Sequence, residues 1–127
     1  MSELVGLWRL VSYADLDESG AAHEGPLGPA PRGLLHYGTE GCMSVCMMRT
    51  GPVPSGGAAY MGYAGGWRLS GTQVVHEIEV CSNPAWADTE QIRDLTLEGD
   101  LLVLLGTAMV NGKPQRRQLT WRRCAAR

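Results

Sequence analysis

The sequence predicts an all-β fold, an eight-stranded antiparallel up-and-down β-barrel with lid loops at one end. Three observations predict it. Short runs of aliphatic, β-branched and aromatic residues follow one another, separated by glycine-marked turns. Helical periodicity is weak throughout and leaves room for one short helix at most, in 54–62. The connections alternate in length as they would if all even-numbered turns lay at one end of a barrel, a closed form that leaves no exposed sheet edge.

The strands fall in order at about 5–14, 33–38, 42–49, 63–70, 73–82, 90–98, 101–108 and 116–124. The turns "YGTEGC", "LSGTQ", "LEGDL" and "VNGKP" each carry the Gly, Asn or Asp that a tight hairpin needs. The first and third connections, "DLDESGAAHEGPLGPAPR" and "TGPVPSGGAAYMG", are long, and the fifth, "SNPAWADT", is intermediate. In an up-and-down barrel these three share one end with the last hairpin, so they form a lidded mouth over a cup. Eight strands leave an interior that side chains fill or one small ligand occupies.

Composition narrows the function classes. At 127 residues, 44% apolar and 19% charged, the chain reads as one globular domain over 1–127. The formal charge of −2 asks for neither nucleic acid nor an anionic membrane. Arg116, Arg117, Arg122, Arg123 and Arg127 crowd the C-terminal end and read as a solvated strand and tail. The opening "MSELVGLWRLVSY" lacks the basic flank, apolar run and cleavage site of a signal peptide, and no run of about 20 apolar residues exists. The expected location is cytoplasmic, with Cys42, Cys46, Cys81 and Cys124 as free thiols. Cys42 and Cys46 share a strand, where four residues span about 13 Å, too far for one zinc ion. With no C-x-x-C or H-x-x-x-H spacing, neither metal nor cofactor is expected.

The opening "GLWRL" carries a Gly-x-Trp signature at Gly6 and Trp8, and "TWRRC" places Arg122 or Arg123 near the end of the last strand. With "PLGPAPRGLLHY", "GCMSVCMMR", "YAGGWRLSGTQVVHEIEVCSNPAW" and "TEQIRDLTLEGDLLVL", the chain closely resembles the short bacterial lipocalin-like domain family over nearly its full length. The resemblance implies a small barrel around a hydrophobic pocket, with the Trp plugging the closed end and the Arg packed over it. It implies no single reaction. Some barrels of this architecture bind lipids or other apolar compounds, and others catalyse cofactor-free cyclisations in natural-product pathways. The Ala-, Gly- and Arg-rich composition fits a GC-rich bacterium.

Strand alternation nominates the interior. "TQVVHEIEV" puts Val74, His76, Ile78 and Val80 on one face and Val75, Glu77 and Glu79 on the other. Alternation also turns Leu35, Tyr37, Tyr63, Gly65, Trp67, Leu69, Gln91, Arg93, Leu95 and Leu97 inward, with Trp8, Leu10, Leu119 and Trp121. The stretch 101–105, "LLVLL", is apolar on both parities and keeps both assignments. So does 42–48, where either Met43, Val45 and Met47 or the opposite set faces in, and an apolar outer face there would make a homodimer. Centring the hairpins pairs His76 with Leu95 and Gly65, the glycine leaving space beside the imidazole. Arg93 and Tyr63 then lie diagonal to it.

The expected site is a polar patch in an apolar cup. His76, Arg93 and Tyr63 are the catalytic candidates; Gln91, Trp67, Met47, Ile78, Trp86, Asn83 and Tyr37 are the ligand-binding candidates. The same histidine also fits a core residue bonded to a hydroxyl or carbonyl. Arg93 needs a partner if buried, and no inward acid appears among these residues. Two functions follow. One is a binding protein for a lipid-like or polyketide-like metabolite. The other is a cofactor-free cyclase or isomerase, folding its substrate in the pocket while His76 moves a proton and Arg93 or Tyr63 stabilises charge on oxygen. A solid barrel without a cavity is the third possibility. No G-x-S-x-G motif supports hydrolysis.

Overall fold

The structure, a computed structural model, describes residues 3–125; Met1, Ser2, Ala126 and Arg127 lie outside the described residues. Nine strands run in chain order: β1 (Gly6–Leu16), β2 (Ala22–Glu24), β3 (Arg32–Tyr37), β4 (Cys42–Met48), β5 (Tyr60–Ser70), β6 (Gln73–Cys81), β7 (Glu90–Glu98), β8 (Leu101–Val110) and β9 (Lys113–Arg123). All pairings are antiparallel between neighbours, and β1 pairs with β9, from Trp8↔Arg123 to Leu16↔Arg116, which closes the barrel. The eight expected strands are the staves. The additional one, β2, is a three-residue return inside the first long connection, paired with the far end of β1 at Ala14–Leu16.

The tight turns obey their chemistry. Asn111 and Gly112 both take positive φ (52° and 77°) between the paired Val110 and Lys113, as a type I′ hairpin demands. Residues 54–62 form no helix. Proline and glycine break helical order there, and the chain enters β5 at Tyr60. The one short helical turn among the described residues, a 3₁₀ turn at Pro84–Trp86, lies between β6 and β7, where Asn83 Oδ1 accepts from the Ala85 amide at 3.1 Å.

Alternation holds along most strands. Met43, Val45 and Met47 are buried in β4, which resolves that strand's orientation, and Leu102 and Leu104 turn β8 inward. Two β-bulges break it. In β1, Leu10 faces Trp121 and Ser12 faces Thr120, so Val11 is the extra residue. Beyond it Tyr13 and Asp15 swing onto the inner face, opposite Leu119 and Arg117. In β6, Gly65 faces Ile78 and Ala64 faces Val80, so Glu79 is the extra residue. Val80 is therefore 70% exposed instead of inward, and Cys81 comes to the face of Tyr63. Gly65 permits this bulge. A Cβ there would fall 1.9 Å from the Glu77 carbonyl oxygen, so the glycine accommodates backbone, and opens no space beside the imidazole.

The closed end is built around Trp8, which is fully buried and donates from Nε1 to the Leu4 carbonyl at 2.9 Å. The Arg123 guanidinium lies 4.2 Å from the Trp8 ring centroid and donates to the Val5 carbonyl at 2.9 Å. Arg123, rather than Arg122, is thus the arginine over the plug. At the other end the long connections are tied together. Arg49, at the end of β4, donates from Nε to the Ala58 carbonyl at 2.9 Å and from Nη2 to the Pro26 carbonyl at 2.8 Å. Leu27 of the first connection is fully buried in the core, a lid residue pressed into the barrel.

Candidate functional site

β5, β6 and β7 carry the centre of the site, with β3 behind it. His76 stands opposite Trp67 on β5 and Gln91 on β7, in place of the expected Gly65 and Leu95. The β5–β6 hairpin turns on Gly71 and Thr72 between the paired Ser70 and Gln73, which sets Trp67 against His76. β6 pairs with β7 from Gln73↔Asp94 to Glu77↔Glu90, which sets Gln91 against it; the Glu79 bulge lies beyond both pairings. His76 is 2% exposed. Tyr37 Oη lies 2.6 Å from its Nε2, and Tyr63 Oη lies 2.6 Å from its Nδ1. Each ring nitrogen has a phenol, so the histidine is both satisfied and clamped. Burial, reinforced by the nearby Arg93 charge, lowers its pKa from 6.5 to about 3, so the imidazole is neutral at physiological pH. Burial also pushes the Tyr63 phenol up to about 12 and raises Tyr37, so both stay protonated.

Arg93 reaches in from β7. Its Nη2 donates to Gln91 Oε1 at 2.9 Å and its Nη1 to the Ile92 carbonyl at 3.1 Å. Gly106 of β8 makes room for it, since a Cβ at 106 would come within 2.6 Å of Arg93 Cδ and Nη1. A second arginine, Arg117 of β9, is paired with Asp15 of β1 at 2.9 Å. That inward acid was not expected, because the Val11 bulge reverses the parity of β1. It serves Arg117, and Arg93 has no carboxylate partner among the described residues.

These groups border a cavity of about 450 Å³ that opens toward the long connections. That size suits one small ligand. His76, Arg93, Tyr63, Gln91, Met47, Asn83 and Trp86, all nominated from the sequence, line it. Tyr37, Trp67 and Ile78 do not. Tyr37 is fully buried behind His76; Trp67 packs on Tyr37 with ring centroids 4.8 Å apart and donates to the Gly38 carbonyl near the closed end; Ile78 is buried at the β6 bulge. The lining also includes Tyr13, Arg117, Met61, Thr107, Met109 and Trp121. Trp121 was already placed inward. Tyr13 depends on the β1 bulge. Arg117 continues the inward alternation of Trp121 and Leu119 along β9 and was read instead as part of a solvated strand, and the β8 residues lie on a strand whose parity carried no signal. Trp121 Nε1 is buried without a hydrogen-bond partner among the described residues. No group of three potential metal ligands forms among the described residues, and none of their helices is long and apolar enough to cross a membrane.

Comparison with known proteins agrees with this geometry. The family model described as a lipocalin-like domain matches residues 5–59 and 56–124. The chain is also similar to the 4'-hydroxy-3'-methoxypropiophenone carrier protein ppsC of Aspergillus oryzae (strain ATCC 42149 / RIB 40). The two are 34% identical over 74 residues, which cover 50% of this chain and 67% of that protein. No solved structure matches the chain.

Proposed function

The chain belongs to the lipocalin-like domain family, and from that premise we propose that it binds one apolar small molecule of polyketide-like or lipid-like character inside its barrel. The observation that carries this reading is the cavity of about 450 Å³ at the mouth, bordered by apolar walls and by His76, Arg93, Tyr63 and Gln91. Apolar walls with a few convergent polar groups characterise ligand sites. The similarity to a protein named as a carrier of an aryl ketone supports a carrier role. Arg93, Tyr63 and Gln91 anchor the polar end of the ligand; Met47, Met61 and Trp86 hold its body, the methionines adapting to its shape. Asn83 and Trp86 form the rim. Tyr37 and Trp67 act from behind, by holding His76 and the floor in place. A cytoplasmic setting is part of this reading, since it keeps the four thiols, two of them on exposed residues, reduced.

The alternative, a cofactor-free cyclase or isomerase, uses the same pocket. The state of His76 weighs against it. A general acid or base works best with a pKa near the working pH, and this imidazole lies near 3 with both nitrogens engaged.

Titration with 4'-hydroxy-3'-methoxypropiophenone, followed by quenching of tryptophan fluorescence, tests the binding reading, because Trp86 and Trp121 border the cavity. Saturable one-to-one binding without turnover is expected. Absence of saturable binding, together with no co-purifying small molecule in native mass spectrometry, overturns the proposal.

A further inference from the structure

We infer that the ligand enters with a hydrogen-bond-accepting, electron-rich oxygen (a ketone, carboxylate or phenolate) as its inner polar group. This rests on the binding reading above and names its chemical class. The reason is an inventory of hydrogen bonds. The polar side chains around His76 each give an acceptor to a partner within the protein, and turn unpaired donors toward the cavity.

Tyr37 decides the direction. It is fully buried, and His76 is its only hydrogen-bond partner among the described residues. A buried hydroxyl gives its proton to an available acceptor, so Tyr37 donates to Nε2. The neutral ring then carries its hydrogen on Nδ1 and donates it to Tyr63 Oη at 2.6 Å. With its oxygen receiving that bond, Tyr63 keeps its own O–H for the cavity it lines.

The neighbouring groups behave alike. A guanidinium only donates, so Gln91 must meet Arg93 through Oε1 at 2.9 Å, which leaves its amide hydrogens unpaired. Asn83 gives Oδ1 to the Ala85 amide at 3.1 Å and likewise keeps its NH₂ at the rim. The inward carboxylate, Asp15, is occupied by Arg117 and does not line the cavity, and no Asp or Glu does. Thr107, whose hydroxyl serves either role, sits exposed at the rim. Arg93 therefore supplies a positive charge without a carboxylate partner among the described residues, within a donor-rich wall. A ligand ammonium or amide N–H would meet donors facing donors, and a hydrocarbon end would leave those donors dry and unmet. An oxygen acceptor satisfies several at once, most strongly when it is charged.

Four 2-substituted naphthalenes of similar size test this in calorimetric titrations of the full chain near neutral pH: 2-naphthoate, 2-acetylnaphthalene, 2-methylnaphthalene and 2-naphthylmethylammonium. Both oxygen compounds should bind about tenfold or more tighter than the methyl compound, and the ammonium weakest of all. Arg93→Gln should remove most of the naphthoate advantage over the methyl compound. Equal affinities for the methyl and oxygen compounds, or an ammonium as tight as either oxygen compound, would overturn the donor-wall inference and leave the binding reading intact. Failure of all four to bind overturns the binding reading and this inference with it. The wild-type series decides the question even if the variant folds poorly.

Discussion

Gly106 stands beside Arg93, and a β-carbon at position 106 would fall 2.6 Å from Arg93 Cδ and 2.8 Å from its Nε. The glycine is what lets the guanidinium lie along the cavity wall. Its φ is not positive, so alanine fits the backbone, and the three nearest atoms that its Cβ would meet all belong to the flexible arginine side chain. The Gly106→Ala protein should fold, losing about 1 kcal/mol or less in denaturant titration, while Arg93 is displaced. Affinity for 2-acetylnaphthalene should fall about tenfold, the cost of losing one charge-assisted hydrogen bond. Unchanged affinity would mean that Arg93 does not anchor the ligand.

His76 should make the protein acid-sensitive. Folded, it takes a proton only near pH 3; unfolded, near 6.5. Between those values the unfolded chain binds more protons, so stability falls as pH falls, by about 1.4 kcal/mol per unit. The stabilisation is fully present above pH 6.5 and is spent by about pH 3. Unfolding free energies from urea titrations at about pH 7 and about pH 5 should therefore differ by roughly 2 kcal/mol in the wild type. In His76→Gln that difference should nearly vanish. Parallel acid losses in the two proteins would assign the effect elsewhere.

Much of this site was legible in the sequence, and what was not has a local cause. Period-2 alternation turned His76, Arg93, Gln91 and Tyr63 inward because those strand segments keep a regular pleat. It missed Tyr13 and Asp15 because one extra residue, Val11, reverses the parity of β1, and nothing about a valine in "RLVSY" announces a bulge. Glu79 did the same to Val80, though there "GG" at 65–66 was a usable signal for close backbone approach. β8 carried no parity because "LLVLL" is apolar on both faces; only packing against Leu119 and Trp121 of β9 selects Leu102 and Leu104. Leu27 illustrates a further limit, since a loop residue pressed into the core has no periodicity to betray it.

The two tyrosines on His76 should separate stability from binding. Tyr37→Phe strands a buried imidazole acceptor and should cost about 1–3 kcal/mol, with a lesser effect on the affinity of the folded protein. Tyr63→Phe removes the O–H inferred to face the ligand. It should weaken 2-acetylnaphthalene binding about tenfold, and because it also strands the Nδ1–H of the buried imidazole it should cost about 1–3 kcal/mol of stability as well. Chemical denaturation and calorimetry on both proteins check this. Unchanged affinity in Tyr63→Phe, with stability lost in both variants, would show that Tyr63 spends its O–H on His76 and that the proton order runs the other way.

Asp15 and Arg117 form the one ion pair next to the cavity among the described residues, with side chains 25% and 16% exposed. Asp15→Asn keeps the shape and frees the Arg117 charge. Breaking a largely buried pair leaves an uncompensated cation, so the variant should lose about 2 kcal/mol of stability after discounting for the exposure that remains. The freed guanidinium borders the same cavity as Arg93. It should therefore raise affinity for 2-naphthoate several-fold, at an effective dielectric constant of about 20, while leaving 2-methylnaphthalene alone. The two effects oppose each other, less stable yet tighter for the anion, which general damage to the fold would not produce. Calorimetry with both compounds on the folded variant reads the second effect directly. A naphthoate affinity that falls in step with stability would place Arg117 outside the field the ligand feels.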